Sequence, residues 1–231
     1  MAFQARCRCF VLVTLMAGVL SARAAAQDPV KVGPNIYKTL FENDRVRVCD
    51  VRFKPGDSIA MHSHPDHFVY VIAPGKIKLS DPDGKTKLME NKAEEVVWIK
   101  AETHSAENIG TTEFHGLVFE LKGSGEKAEP PAGVPDTVKA APAIHKVLFE
   151  NDRVRVIDVR MKAGDKLPMH SHPAFVVYPF TDSKMKMTGA DGKATEVQAK
   201  TGQVIWNEPV THAVENIGTT EAHVLDVELK Q

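Results

Sequence analysis

The pentapeptide Met61-His62-Ser63-His64-Pro65 returns unchanged as Met169-His170-Ser171-His172-Pro173, 108 residues later. In an extended strand, residues two apart point to the same face, so His62 with His64, and His170 with His172, can bring two imidazoles to one ion. A further histidine follows each pair, His104 in the first case and His212 in the second. One H-x-H pair arises easily by chance, whereas two distant pairs each joined by a third histidine make a metal site the chemistry to expect. Imidazole nitrogen suits a divalent Fe, Zn, Ni or Cu ion and, with oxygen ligands added, Mn.

The elements that carry these residues are themselves duplicated. Leu40–Lys54 matches Leu148–Lys162 at 13 of 15 positions. The same offset aligns Trp98 with Trp206, the ENIGTTE segments from Glu107 and Glu215, and Glu120 with Glu228. Residues 30–122 and 143–231 are read as two copies of one domain, joined by a linker over 123–142 that is rich in Gly, Pro, Ala and charge. Within a copy, short runs of Val, Ile, Phe and Thr are separated by turn signals such as Pro55-Gly56-Asp57, and Asp83-Gly84 and Asp191-Gly192 suit tight hairpins. No segment sustains a helical period. The fold class is therefore all-β, two tandem antiparallel sandwiches or small barrels. From Arg153 to Met161 the alternation shifts by one, which calls for either a bulge or a strand covered on both faces.

Residues 1–26 differ from the rest. Arg6 and Arg8 precede an apolar run from Phe10 to Leu20, then Ala24-Ala25-Ala26. That order is expected of a signal peptide cleaved near Ala26, which places the product in the periplasm or outside the cell. The run is too short to span a bilayer, so no membrane association is expected after cleavage. Cleavage removes Cys7 and Cys9 and leaves Cys49 without a disulfide partner; its counterpart Ile157 marks it as a packing residue. A formal net charge of −1 and the lack of any zinc-finger or helix-turn-helix pattern argue against nucleic acid as a partner. No nucleophile-histidine-acid order, phosphate loop or nucleotide fingerprint is present either.

On its motifs the chain resembles the cupin family. Gly56 followed by five residues and His62-Ser63-His64, and Gly164 before His170-Ser171-His172, fit the first cupin motif. His104 with Asn108, His212 with Asn216, and Gly202 fit the second. The resemblance covers nearly all of both copies and implies a bicupin: two six-to-eight-strand barrels, each with a divalent metal in its mouth. Where the family motif has a glutamate this chain has His67 in the first copy and Phe175 in the second. The ligand set it implies is thus His62, His64 and His104 with His67 as a fourth in the first copy, and His170, His172 and His212 in the second. Three neutral imidazoles leave the ion's double charge uncancelled, so its open positions should favour anionic ligands.

Two functions fit these residues. One is a metal-dependent oxidoreductase, resembling the three-histidine cupin dioxygenases, acting on a small anionic or phenolic compound. The other is a non-catalytic module that binds a metal or small molecule in the cell envelope. No catalytic residue is assigned, and pairing of two chains through sheet edges is left open. His67 makes the first copy the expected place for ligand chemistry, since a histidine titrates near neutral pH. His115 and His223 on the last strands, Tyr70 and Tyr178, and Trp98 and Trp206 are secondary candidates for a pocket, each with a packing or surface role as the alternative.

Overall fold

The computed structural model describes residues 27–123 and 133–230, so the leader expected at 1–26 lies outside the described residues. Runs rich in Val, Ile and Phe, each cut off at a turn, form nine antiparallel strands in each half. The N half has α1 (Pro29–Val32), β1 (Tyr37–Glu42), β2 (Val46–Phe53), β3 (Ser58–His64), β4 (His67–Ala73), β5 (Ile77–Ser80), β6 (Thr86–Met89), β7 (Val96–Ile99), β8 (Glu102–Asn108) and β9 (Phe114–Leu121). The C half repeats this as α2 (Thr137–Ala140), β10 (His145–Glu150), β11 (Val154–Met161), β12 (Lys166–His172), β13 (Phe175–Pro179), β14 (Ser183–Gly189), β15 (Ala194–Ala199), β16 (Ile205–Asn207), β17 (Val210–Asn216) and β18 (Ala222–Leu229). Among the described residues, no helix is long and apolar enough to cross a membrane.

Each half holds a five-stranded sheet, β1-β2-β9-β4-β7 or β10-β11-β18-β13-β16, and a four-stranded sheet, β3-β8-β5-β6 or β12-β17-β14-β15. Side chains of both sheets meet in an internal core, for example Val51, Val69, Ile59 and Ile77 in the N half. The all-β tandem architecture is as expected. Each half is a jelly roll of two facing sheets rather than one continuously hydrogen-bonded barrel, with nine strands where six to eight were expected. Gly84 and Gly192, at φ of 80° and 77°, turn the β5–β6 and β14–β15 hairpins at the predicted Asp-Gly pairs.

The shifted alternation in β11 comes from burial on two faces. Val154 and Val156 face the other half, while Ile157, Val159 and Met161 face the interior of their own. The bulge lies on its neighbour β10, between Val147 and Phe149. Seven buried residues from each half, among them Phe68, Phe119, Val154 and Leu225, form one core between the two five-stranded sheets. Trp98 stacks on Phe149 at 6.0 Å between ring centres, and Trp206 on Phe41 at 6.2 Å, in matched exchange across the halves. Both tryptophans, and Tyr70 and Tyr178 with them, thus belong to the seam between halves and not to a pocket.

The second copy also begins earlier than its composition suggests. Asp136 caps α2 as Asp28 caps α1. Pro135 O accepts from Ser171 N–H just as Gln27 O accepts from Ser63 N–H, both at 3.0 Å. The end of the segment expected as linker is therefore built into the C half, and the first copy starts by Gln27 rather than residue 30.

Candidate metal centre

Two residues of the cupin-like motifs bring the histidine strands together. Gly56, at φ 81°, donates its N–H to Asn108 O, and Asn108 N–H donates to Asp57 O. The buried Asn108 side chain then donates from Nδ2 to Phe53 O and Thr112 O, both at 2.8 Å. Gly164 and Asn216 repeat the clamp. It fixes the register of β3 on β8 and of β12 on β17, in which His62 faces His104 and His170 faces His212.

As the two-residue spacing predicts, His62 and His64 both point inward, and His104 joins them from the adjacent strand. The ligand-capable nitrogens of His62, His64 and His104 lie within 4.8 Å of one another, as do those of His170, His172 and His212, and all six residues are buried. His67 lies against His64, with ring centres 4.6 Å apart, but it is not among the three converging side chains. Phe175 takes the equivalent place, stacked on His172 at 4.4 Å.

Hydrogen bonding decides which nitrogen each ring offers. His62 Nδ1 meets Ala60 O at 2.8 Å and His170 Nδ1 meets Pro168 O at 2.8 Å. A carbonyl can only accept, so Nδ1 carries the proton and Nε2 keeps its lone pair. Carboxylates act likewise: His64 Nδ1–H donates to Glu120 (2.6 Å), His172 Nδ1–H to Glu228 (2.8 Å) and His104 Nδ1–H to Glu102 (2.7 Å). His62 Nε2 is then a fully buried acceptor with no partner among the described residues. Such an atom is costly unless a ligand completes it. Burial, the main cause, pulls the imidazoles of His62 and His170 down to about 4 and that of His212 to about 3, which keeps them neutral and able to bind a cation. The donor set, its tautomers and the orphaned nitrogen fit a divalent metal, and both trios can hold one.

Behind each trio runs a charge chain that the sequence reading missed. Arg47 donates from Nε to Glu120 and from Nη1 to Asp28, both at 2.5 Å. Arg155 links Glu228 and Asp136 in the same way. The chain runs from the helix cap through Arg47 and Glu120 to His64. Burial alone would raise the Glu120 carboxyl, but its bonds from His64 and Arg47 outweigh that and hold it below the usual range. The signal was present: Arg47, Glu120 and Asp28 each recur 108 residues on, although a buried strand interior has no packing need for either charge.

The two centres differ in surroundings. Glu102 has Val210 as its counterpart, and among the described residues nothing hydrogen-bonds the His212 ring. The N-half cavity, about 40 Å³, has room for little beyond an ion and water. The C-half cavity reaches about 420 Å³ beside His170, His172 and His212. Side chains explain the difference: Phe114 and Phe53 in the N half have Ala222 and Met161 as counterparts. The first copy, expected to carry the ligand chemistry, therefore lacks the space for it.

The other candidates lie elsewhere. His115 and His223 bond Asp50 (2.5 Å) and Asp158 (2.6 Å) on the face that each five-stranded sheet turns toward the other half, away from the trios. His223 does not reach His212, because β17 and β18 belong to different sheets. Cys49 is buried, its thiol pushed up to about 11 by burial. His145 lines the C-half cavity with both nitrogens in use, donating to Ala141 O (2.9 Å) and accepting from Thr137 Oγ1 (2.8 Å).

No protein-family model and no curated relative matches the chain. Solved structures do. A tryptophan-to-phenylalanine variant of oxalate decarboxylase from B. subtilis aligns with a TM-score of 0.61 at 15% identity, over 83% of this chain and 71% of that one. Another structure of Bacillus subtilis oxalate decarboxylase, from work on its Mn(II) centres, aligns at 0.58 and 17% over the same shares. Identity this low bears on fold alone. Two jelly rolls in tandem, matched strand for strand and each with an inward histidine trio, give this chain the fold of a bicupin.

Proposed function

We propose that the protein is an exported bicupin in which His170, His172 and His212 hold a divalent cation at the wall of a ligand cavity, while His62, His64 and His104 hold one in a closed, structural site. The observation that carries this reading is the pairing of near-identical trios with cavities of about 420 and 40 Å³. Iron, manganese, nickel, copper and zinc all suit the donors, and the Mn(II) centres of the oxalate decarboxylase relative favour testing manganese first. When bound, the cation supplies Lewis-acid or redox chemistry; the chain supplies neutral imidazoles, a rigid trio and a largely apolar chamber. On this reading the protein is a metal-dependent oxidoreductase, dioxygenase-like, for a small molecule. Among the described residues no carboxylate bonds the His212 ring, which favours as second reading a non-catalytic module that binds a metal or small molecule. Export rests on Arg6, Arg8, the apolar run and Ala26, and N-terminal sequencing of the secreted product checks it.

Elemental analysis of protein purified without chelator or histidine tag, beside a His170→Ala/His172→Ala variant, tests the metal. About two equivalents per chain, falling to about one in the variant, support two sites. Metal absent after anaerobic reconstitution removes the reading. Oxygen uptake with candidate substrates then separates the oxidoreductase from the binding module.

A further inference from the structure

The C-half cavity contains a carboxyl group that neither the trio nor its charge chain uses. Asp226 lies on the inward face of β18, two residues before Glu228, and lines the cavity that holds His170, His172 and His212. It is 7% exposed, and its Oδ1 is fully buried without a hydrogen-bond partner among the described residues. Its strand neighbours, Ile157 and Val177, offer no polar side chain. The fold has no need of an acid there, because the equivalent residue of the N half is Val118, facing the small cavity. An unpartnered buried carboxyl in only one of two otherwise matched sites points to something outside the chain.

We propose that Asp226 anchors the ligand of the C-half cavity, and that this ligand is a neutral, largely apolar small molecule bearing a hydroxyl group, a phenol or an alcohol. The claim rests on the ligand-cavity reading above and narrows it. A hydroxyl suits a carboxyl in either protonation state, donating to a carboxylate or exchanging both roles with a carboxylic acid. Most of the remaining wall, including Met161, Met185, Met187 and Val224, is apolar, with Thr137 and Ser183 among its polar residues, and thioethers adapt to flat or irregular shapes. Among the described residues no Lys or Arg lines the cavity, so the trio's cation is the one positive charge offered to an anionic ligand there, and Asp226 opposes a second negative charge at the far end of that ligand. Burial pushes the Asp226 carboxyl up to about 7, as expected of a group with no cation in contact.

Calorimetry with 4-propylphenol, propylbenzene and 4-propylbenzoate tests this on the protein as purified and again after metal removal. The wild type should bind 4-propylphenol at least tenfold more tightly than either other probe, about 1.4 kcal/mol. Asp226→Val, which copies Val118, should lose that tenfold preference and keep its affinity for propylbenzene. Equal binding of the phenol by wild type and variant overturns the proposal, as does tighter binding of the benzoate or no binding of the phenol at millimolar concentration. The three-probe comparison on the wild type needs no variant, so a poorly folded Asp226→Val leaves the test intact. Metal content, read separately, reports on the trio: its loss with the phenol preference retained would sink the metal reading and leave the anchor standing.

Discussion

Arg47→Met is the sharpest test of the charge chain behind the N-half trio. Arg47 has a single role in the structure, joining Glu120 and Asp28 at 2.5 Å each. Methionine keeps most of the side chain's bulk and removes both bonds. Glu120, 2% exposed, then keeps one donor, the Nδ1–H of His64, and carries a buried charge with nothing to offset it. Removing one partner of a buried ion pair costs about 3–5 kcal/mol, mostly as the penalty for the stranded charge. A domain's total stability is about 5–15 kcal/mol, so the variant should fold with a clearly lower urea midpoint. Adding Glu120→Gln removes the stranded charge, and the double variant should recover about 1 kcal/mol or more relative to additivity. Urea titrations on metal-stripped protein, with unchanged slopes, measure all three. A loss below about 1 kcal/mol for Arg47→Met, or additive effects, would refute the claim that the pair is a buried unit holding His64.

Further outcomes follow from the same geometry. Glu120→Gln should weaken metal binding in the N half, and Glu228→Gln in the C half, by about 10–100-fold in chelator competition, since each carboxylate fixes a ligand's tautomer. Phe114→Ala should cost about 3–5 kcal/mol in urea titration by opening a cavity in the N-half core, whereas Ala222→Phe should abolish phenol binding in the C half and leave its metal content unchanged. The metal-free protein should lose stability as the pH falls from about 6.5 to 4. There the unfolded chain protonates histidines at their ordinary values while His62, His67, His170 and His212 are held neutral by burial down to about 4, 4, 4 and 3. Each such proton contributes a slope of about 1.4 kcal/mol per pH unit, and Asp226, raised to about 7, subtracts one by binding a proton in the folded state over much of this range. A flat profile over that range would contradict the burial of these four rings as neutral imidazoles.

The trios were legible because strand periodicity is local: two histidines two apart must share a face, and the 108-residue repeat marked which ones mattered. The asymmetry between sites was not legible, because it depends on which residues face each other across two sheets. Phe114 and Ala222 lie far from the histidines in sequence and read as ordinary strand residues. Asp226 was missed for the same reason, as its inward direction follows from the pairing of β18 with β11 and β13. His67 was over-read, because position alone cannot say whether a ring joins a trio or stacks on its edge. Hidden too was the start of the second copy, since a four-residue helix in a Pro- and Ala-rich segment has no period to detect.

The seam between halves explains how one half can carry an open cavity. A space of about 420 Å³ with an unpartnered acid forfeits packing and solvation that the N half retains by filling the same place with Phe114, Phe53 and Val118. The two halves share a single core of seven buried residues each, closed by the exchanged Trp98–Phe149 and Trp206–Phe41 stacks. β11 and β18 contribute to that seam with one face and to the cavity wall with the other, so the cavity is lined by strands already held from behind. A well-packed N half, locked by its own charge chain, can therefore support a C half whose interior is shaped for a ligand instead of for stability.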